Sequence, residues 1–157
     1  MSRLTRGGAA AALLAAMAIA FVGQWEGLRL RSYQDIVKVW TICYGETKNV
    51  RPGMTKTKPE CDKQLLASLD EHARGMEKCL ASPDTIPGNS YVMFVSLTYN
   101  IGVAGFCRSS LPRLINAGDI RAACNLLPAF NRAGGRVVQG LVNRRAAEKK
   151  ICLEGLQ

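Results

Sequence analysis

Glu26 and Asp35 stand nine residues apart in the chain, and Thr41 follows six residues after Asp35. Two carboxyls and a hydroxyl at this spacing can gather around one cleft if the chain turns a corner between them. The chemistry open to such a group is cleavage of a glycosidic bond, which needs one carboxylic acid protonated at working pH and one carboxylate kept ionised. Apolar surroundings favour the first state and wetter, polar ones the second. Spacing alone leaves a second reading open, in which both acids are solvated surface charges.

The neighbouring elements must supply the corner. Phe21, Val22, Trp25 and Leu28 fall at helical spacing, which predicts an apolar helix running past Glu26 towards Leu30. Residues 36–44 (IVKVWTICY) are β-branched and aromatic, which predicts a strand of a small sheet, with Asp35 in the turn before it and Thr41 inside it. Thr57-Lys58-Pro59-Glu60 reads as a capping box, opening a helix to about Cys79 with Leu65, Leu66 and Leu69 on its apolar side. Asn89 or Ser90 should cap an apolar helix over residues 91–101, stopped by Gly102. A Gly-containing turn leads to helices over residues 111–117 and 120–130, the second distorted by Pro128. Gly134-Gly135 reads as a loop, and residues 142–153 as a basic C-terminal helix. The fold class expected is α+β, mostly α, with one small sheet and many short helices.

Composition narrows the partners. The 157 residues suit one domain, and 48% of them are apolar, enough for an ordinary core. Twenty-one Lys and Arg against twelve Asp and Glu give a net charge of +9, which favours a polyanionic partner. No zinc-finger spacing, basic heptad helix or aromatic RNA-binding motif is present, so nucleic acid is not the expected one. The six cysteines (Cys43, Cys61, Cys79, Cys107, Cys124 and Cys152) are scattered, and His72 is the single histidine, which argues against a metal site. An even cysteine count behind an export signal reads as a disulfide framework, although spacing does not choose among the pairings. His72 itself is expected to be a solvated helix residue.

That export signal is residues 1–25. Arg3 and Arg6 precede residues 7–25, a run without a charge, and this order keeps the arginines cytoplasmic and sends the rest outward. A 19-residue helix is about 28 Å long, barely the ~30 Å hydrocarbon core of a bilayer. Eight of residues 7–23 are Ala and three are Gly, so the segment gains little from insertion and can enter a membrane and leave it again. The expected division is residues 1–25 as a signal-anchor segment and 26–157 as the folded domain. Two other readings are a cleaved signal, because Ala18-Ile19-Ala20 fits the small-x-small pattern, and a permanent anchor. Leucine at Ala11, Ala15 and Ala18 should strengthen insertion.

The Glu, eight residues, Asp, five residues, Thr pattern resembles the catalytic triad of the phage-type lysozymes, glycoside hydrolase family 24. WEGLRLRSYQDIVKVWTICYGET resembles that family's first helix and sheet, and SLTYNIGVAGFCRSSLPRLINAGDIRAAC its core helix and following turn. AGGRVVQGLVNRRAAEKKICLEG resembles its C-terminal helices, with Gly140, Leu141, Arg144 and Arg145 in the Gly-Leu-x-x-Arg-Arg signature. The weak N-terminal segment resembles the signal-anchor-release endolysins of the family, with one departure: almost no spacer separates it from Glu26.

The resemblance implies a two-lobed lysozyme fold around a cleft and a muramidase that cuts the β-1,4 bond between N-acetylmuramic acid and N-acetylglucosamine in peptidoglycan, without a cofactor. It makes Glu26 the general acid, with Asp35 and Thr41 handling the water of an inverting reaction. It places Tyr99 and Asn100 on the saccharide cleft, helix-end packing being the other reading. It counts Arg144 and Arg145 with them as substrate-binding residues on the cleft, one of the two pairing with Glu26, unless both lie on a solvated basic face. It also pairs Cys43 with Cys61, Cys79 with Cys107 and Cys124 with Cys152. A monomer is expected, tethered to the host inner membrane and then periplasmic. The alternatives on this fold are a lytic transglycosylase, which dispenses with the Asp, and a non-catalytic wall-binding protein, which would lack an acid.

Overall fold

The computed structural model describes residues 1–157. Seven helices are separated by two small antiparallel sheets: α1 (Gly8–Glu26), β1 (Arg29–Gln34), β2 (Trp40–Cys43), α2 (Lys58–Glu77), α3 (Gly88–Ile101), α4 (Val103–Arg108), α5 (Leu111–Asn116), α6 (Ile120–Leu126), β3 (Arg132–Ala133), β4 (Arg136–Val137) and α7 (Gln139–Glu154). This is the mostly helical α+β class expected.

The core is built around α3. Every residue from Ser90 to Thr98 is buried, so this helix is covered on all sides. It packs against α1, α2 and α7. On α2, Cys61, Leu65, Leu69, Ala73 and Met76 form one inward stripe at helical spacing. The capping box at its start is present: Thr57 accepts from the Glu60 N–H, and the Glu60 side chain accepts in return from the Thr57 N–H. The predicted cap of α3 moves: Pro87 occupies that position, and Ser90 is buried inside the helix, donating to the Cys152 carbonyl.

Two expectations near the corner are corrected. The first helix stops at Glu26, because Gly27 adopts φ 76°, a left-handed conformation that glycine takes without steric cost. Residues 29–34, expected to start as helix, form β1. The second strand is shorter than residues 36–44. Asp35 Oδ1 accepts from the Val37 and Val39 N–H groups and folds residues 35–39 into a tight turn, leaving Ile36, Val37 and Val39 exposed. Only Trp40–Cys43 pairs with β1, in the register Tyr33 to Thr41 and Gln34 to Trp40. Local hydrogen bonding thus overrides the β propensity of the sequence. Gly134-Gly135, read as a loop, is the turn of the β3–β4 hairpin, and residues 103–108, read as a turn, form α4.

The apolar helix α1 lies on the domain. Ala11, Ala15, Ala18, Phe21, Val22 and Gly23 face inward against α2 and α3, while Ala12, Leu13, Ala16 and Ala20 remain exposed. The residues before it are knotted to α2 and the turn after it. Ser2 and Leu4 are buried. The Ser2 N–H and hydroxyl and the Thr5 hydroxyl all donate to Asp70 Oδ1. The Arg3 guanidinium donates to the carbonyls of Pro83 and Ile86, each at 2.8 Å, and lies over the Tyr91 ring. Arg6 pairs with Asp84 at 2.6 Å.

All six cysteines are paired: Cys43 with Cys61, Cys79 with Cys107, and Cys124 with Cys152. The first ties β2 to α2, the second the end of α2 to α4, and the third α6 to α7.

Candidate active site

Glu26 is the last residue of α1, so everything that seats this helix also places its carboxyl. Three residues earlier, Gly23 lets the helix come close to Tyr44, the residue after β2: a Cβ there would meet its ring at 3.0 Å. Tyr44 is buried and donates its hydroxyl to Asp62 on α2. Trp25 packs beside Phe21, their ring centroids 6.3 Å apart.

The surroundings of Glu26 differ from the purely apolar pocket its proposed task calls for. Arg144 on α7 donates from Nη1 to Glu26 Oε1 at 2.8 Å. Behind this pair lies a fully buried carboxyl, Glu148. Glu148 Oε1 accepts from the Ser96 hydroxyl at 2.7 Å and from Arg145 Nη2 at 2.8 Å, and lies 3.5 Å from Arg144 Nε. Arg145 Nε and Glu148 Oε2 are 2.6 Å apart as an ion pair, without the alignment of a hydrogen bond. Arg145 Nη1 reaches Asn100 Oδ1 at 3.1 Å. Burial pushes the Glu148 carboxyl up against the opposing pull of Arg145, Ser96 and Arg144, and it pulls the Arg145 guanidinium down. The open choice for the two arginines is thereby resolved: both are buried, and Arg144 takes Glu26.

Asp35 sits at the head of the β1–β2 turn, half-buried, with Oδ1 committed to two backbone N–H groups and Oδ2 uncommitted. Thr41 is buried opposite Tyr33 and donates its hydroxyl to the Val39 carbonyl at 3.0 Å. No hydrogen bond joins either residue to Glu26. The linkage is through the chain, because β1 starts three residues after the end of α1.

A pocket of about 290 Å³ lies over Glu26, lined also by Trp25, Asn100, Val138, Gly140 and Arg144. Asn100 and Leu141 are shared with a neighbouring cavity of about 550 Å³ whose far wall is Phe130, Arg132 and Ala133. Glu26, Asn100 and Arg144 therefore share one groove. Arg145, expected on the cleft, lies beneath Asn100 without solvent exposure. Tyr99 does not line either cavity; it packs on His72, ring centroids 5.1 Å apart. Burial first, then the negative charge of Glu26, pushes the Tyr99 hydroxyl up, which marks its closeness to the acid. His72 is half-buried beneath that ring, not solvated as expected. Ser96 and Glu148 went unread in the sequence. Their one signal is the placing of Glu148 four residues after Arg144 and three after Arg145, a helical pattern that an exposed face shows equally.

Known proteins share this architecture. The SAR-endolysin of Enterobacteria phage P21 is 42% identical over 135 residues, covering 84% of this chain and 79% of that protein. The solved P22 lysozyme matches with a TM-score of 0.79 at 26% identity, covering 88% of this chain and 96% of that one. The active form of the P1 phage endolysin shares the fold, with a TM-score of 0.78 at 24% identity over 93% of this chain and 94% of that one. The phage lysozyme family model matches residues 23–148, a span that takes in the last turn of α1, both sheets and the Arg144 side of α7. On these grounds the chain belongs to the phage lysozyme family.

Proposed function

We propose that this chain is a lytic endolysin that hydrolyses the β-1,4 bond between N-acetylmuramic acid and N-acetylglucosamine in bacterial peptidoglycan. The observation that carries the reading is Glu26, about a quarter exposed, held by Arg144 in a groove shared with Asn100 and Leu141. Arg144 occupies one carboxyl oxygen, so the proton to be transferred sits on the other. Glu26 gives that proton to the glycosidic oxygen as the bond from this oxygen to the anomeric carbon breaks. A water attacks the anomeric carbon from the opposite face and passes its proton to Asp35. Thr41, its own hydrogen directed to Val39, offers a lone pair to that water. The product is a reducing-end sugar of inverted configuration, which requires room for a water and a carboxyl separation of roughly 6.5–9.5 Å.

The test is digestion of purified peptidoglycan by wild type and Glu26→Gln. The variant should lose activity by a factor on the order of 10² or more. Wild-type activity in the variant overturns the reading. Product analysis separates hydrolysis, which leaves a reducing end, from transglycosylation, which leaves a 1,6-anhydro ring.

The same reading assigns α1 two lives. It is apolar and long enough to cross a bilayer, and in the folded chain it is packed on the domain. While it spans the inner membrane with residues 1–6 cytoplasmic, Glu26 cannot take its place in the groove. Release into the periplasm lets α1 pack and completes the site for host lysis. The burial of Ser2 and Leu4, and the bonds from residues 2–6 to Asp70, Glu77 and Asp84, support a chain that keeps this segment after release. Cleavage after Ala20 would remove all of these contacts.

A further inference from the structure

Glu148 touches no part of the groove, yet it sits between the two arginines that do their work there. One end of the chain of charges is Glu26, held by Arg144; the other is Asn100, held by Arg145. Both arginines and Glu148 are buried. Burying ions costs several kcal/mol each after relaxation, and apolar side chains of similar volume usually serve stability as well or better. One carboxylate and two guanidiniums buried beside a groove therefore call for a reason other than stability.

We infer that Glu148 is a positioning residue for the muramidase reaction: by sharing Arg144, it limits how strongly that arginine holds Glu26 as a carboxylate, and through Arg145 it sets the groove wall at Asn100. The inference rests on Glu26 being the proton donor. With all four groups charged, the cluster is neutral. Each guanidinium is divided between Glu148 and a groove residue. Remove the charge of Glu148 and the cluster carries one excess positive charge, with Glu26 the only remaining anion for Arg144. Its proton is then harder to keep, and a donor without its proton cannot act. Remove Arg145 instead, and Glu148 turns undivided to Arg144, which frees Glu26. Tyr99 on α3 also lies within reach of the Glu26 charge, with Glu46 beyond β2 acting on that same hydroxyl. Neither contacts Glu148, so both stay constant in the comparison.

The experiment is the pH profile of peptidoglycan digestion by the full chain, for wild type, Glu148→Gln, Glu148→Asp, Arg145→Gln and the double variant Glu148→Gln/Arg145→Gln, with Tm measured on each. In Glu148→Gln the alkaline limb should move to lower pH by on the order of one unit, the size of a neighbouring-charge effect. In Arg145→Gln it should move to higher pH. In the double variant, neutral again, it should return towards wild type. Glu148→Asp keeps the charge and should keep the limb, whatever it does to the maximal rate. A role confined to stability would lower Tm and leave every limb in place, and that result overturns the inference. If Glu148→Gln does not fold, an unmoved limb in Arg145→Gln overturns it equally. Failure of the functional reading looks different: Glu26→Gln would then digest peptidoglycan like wild type.

Discussion

At Asp35 one side chain holds a turn and, in the proposed reaction, takes a proton. The two functions use different oxygens, since Oδ1 binds the Val37 and Val39 N–H groups. Asp35→Asn keeps an acceptor oxygen for the turn and loses the proton acceptor. It should lower hydrolysis by a factor on the order of 10² to 10⁴ with little change in Tm. Asp35→Ala should lose both, and melt earlier. Hydrolysis at the wild-type rate in the Asn variant would remove Asp35 from the mechanism. The sequence pointed to Glu26, Asp35 and Thr41 by their spacing and to Asn100 by family resemblance, and the structure sets Glu26 and Asn100 in one groove. The support beneath them was not. A carboxylate three or four residues from an arginine looks the same on a solvated face as inside a core, and only the packing of α7 against α3 tells that Glu148 is buried.

At the scale of elements, α1 decides most. The alanines expected to tune membrane insertion, Ala11, Ala15 and Ala18, turn out to be its buried face. Leucine there would strengthen insertion and also overpack the interface, at a cost of about 1–3 kcal/mol for each site. The clean comparison uses the exposed positions. Ala12→Leu/Ala16→Leu/Ala20→Leu should raise the membrane-bound fraction and delay lysis of expressing cells, while the solubilised, folded protein keeps its digestion rate. An unchanged lysis schedule in that variant sinks the release model. The knot ahead of α1 responds to acid. Burial raises Asp70, but hydrogen bonds from Thr5 and Ser2, with Arg74 nearby, outweigh it and hold the carboxyl below its ordinary value. A carboxyl depressed in the folded state adds stability above its unfolded pKa, about 3.9, and loses it as pH falls through the folded value. Hydrogen exchange of the first turns of α1 should therefore stay slow at mildly acidic pH and accelerate only in stronger acid. In Asp70→Asn it should be fast across that range.

Across the whole molecule, three disulfides close loops with sequence separations of 18, 28 and 28 residues. Each closure of this length restricts the unfolded chain by about 3 kcal/mol. The Cys124–Cys152 bridge fastens α6 to α7, the helix that carries Arg144 and Glu148. Cys124→Ser/Cys152→Ser should lower Tm by roughly 6–12 °C, read by thermal denaturation in non-reducing buffer. A shift within 1–2 °C would mean that the bridge adds nothing to the fold. The pairing itself was implied by family resemblance, since six cysteines at these spacings permit many connectivities.

The amino-acid order alone determined the mostly helical class of fold, the inward stripe of α2 and the capping box at Thr57; the export segment and, through family resemblance, the triad are its proposals. The stripe and the capping box are local patterns, repeated or closed within one or two turns of helix. Where α1 ends and how short β2 is follow from local choices that the propensities hid: a left-handed Gly27, and Asp35 folding its own turn within four residues. Which alanines face inward and which arginine meets Glu26 were decided by tertiary structure, through the packing of α1 on α2 and α3 and the charges buried between α3 and α7. Those energies depend on neighbours far away in sequence, as the 118-residue span from Glu26 to Arg144 illustrates.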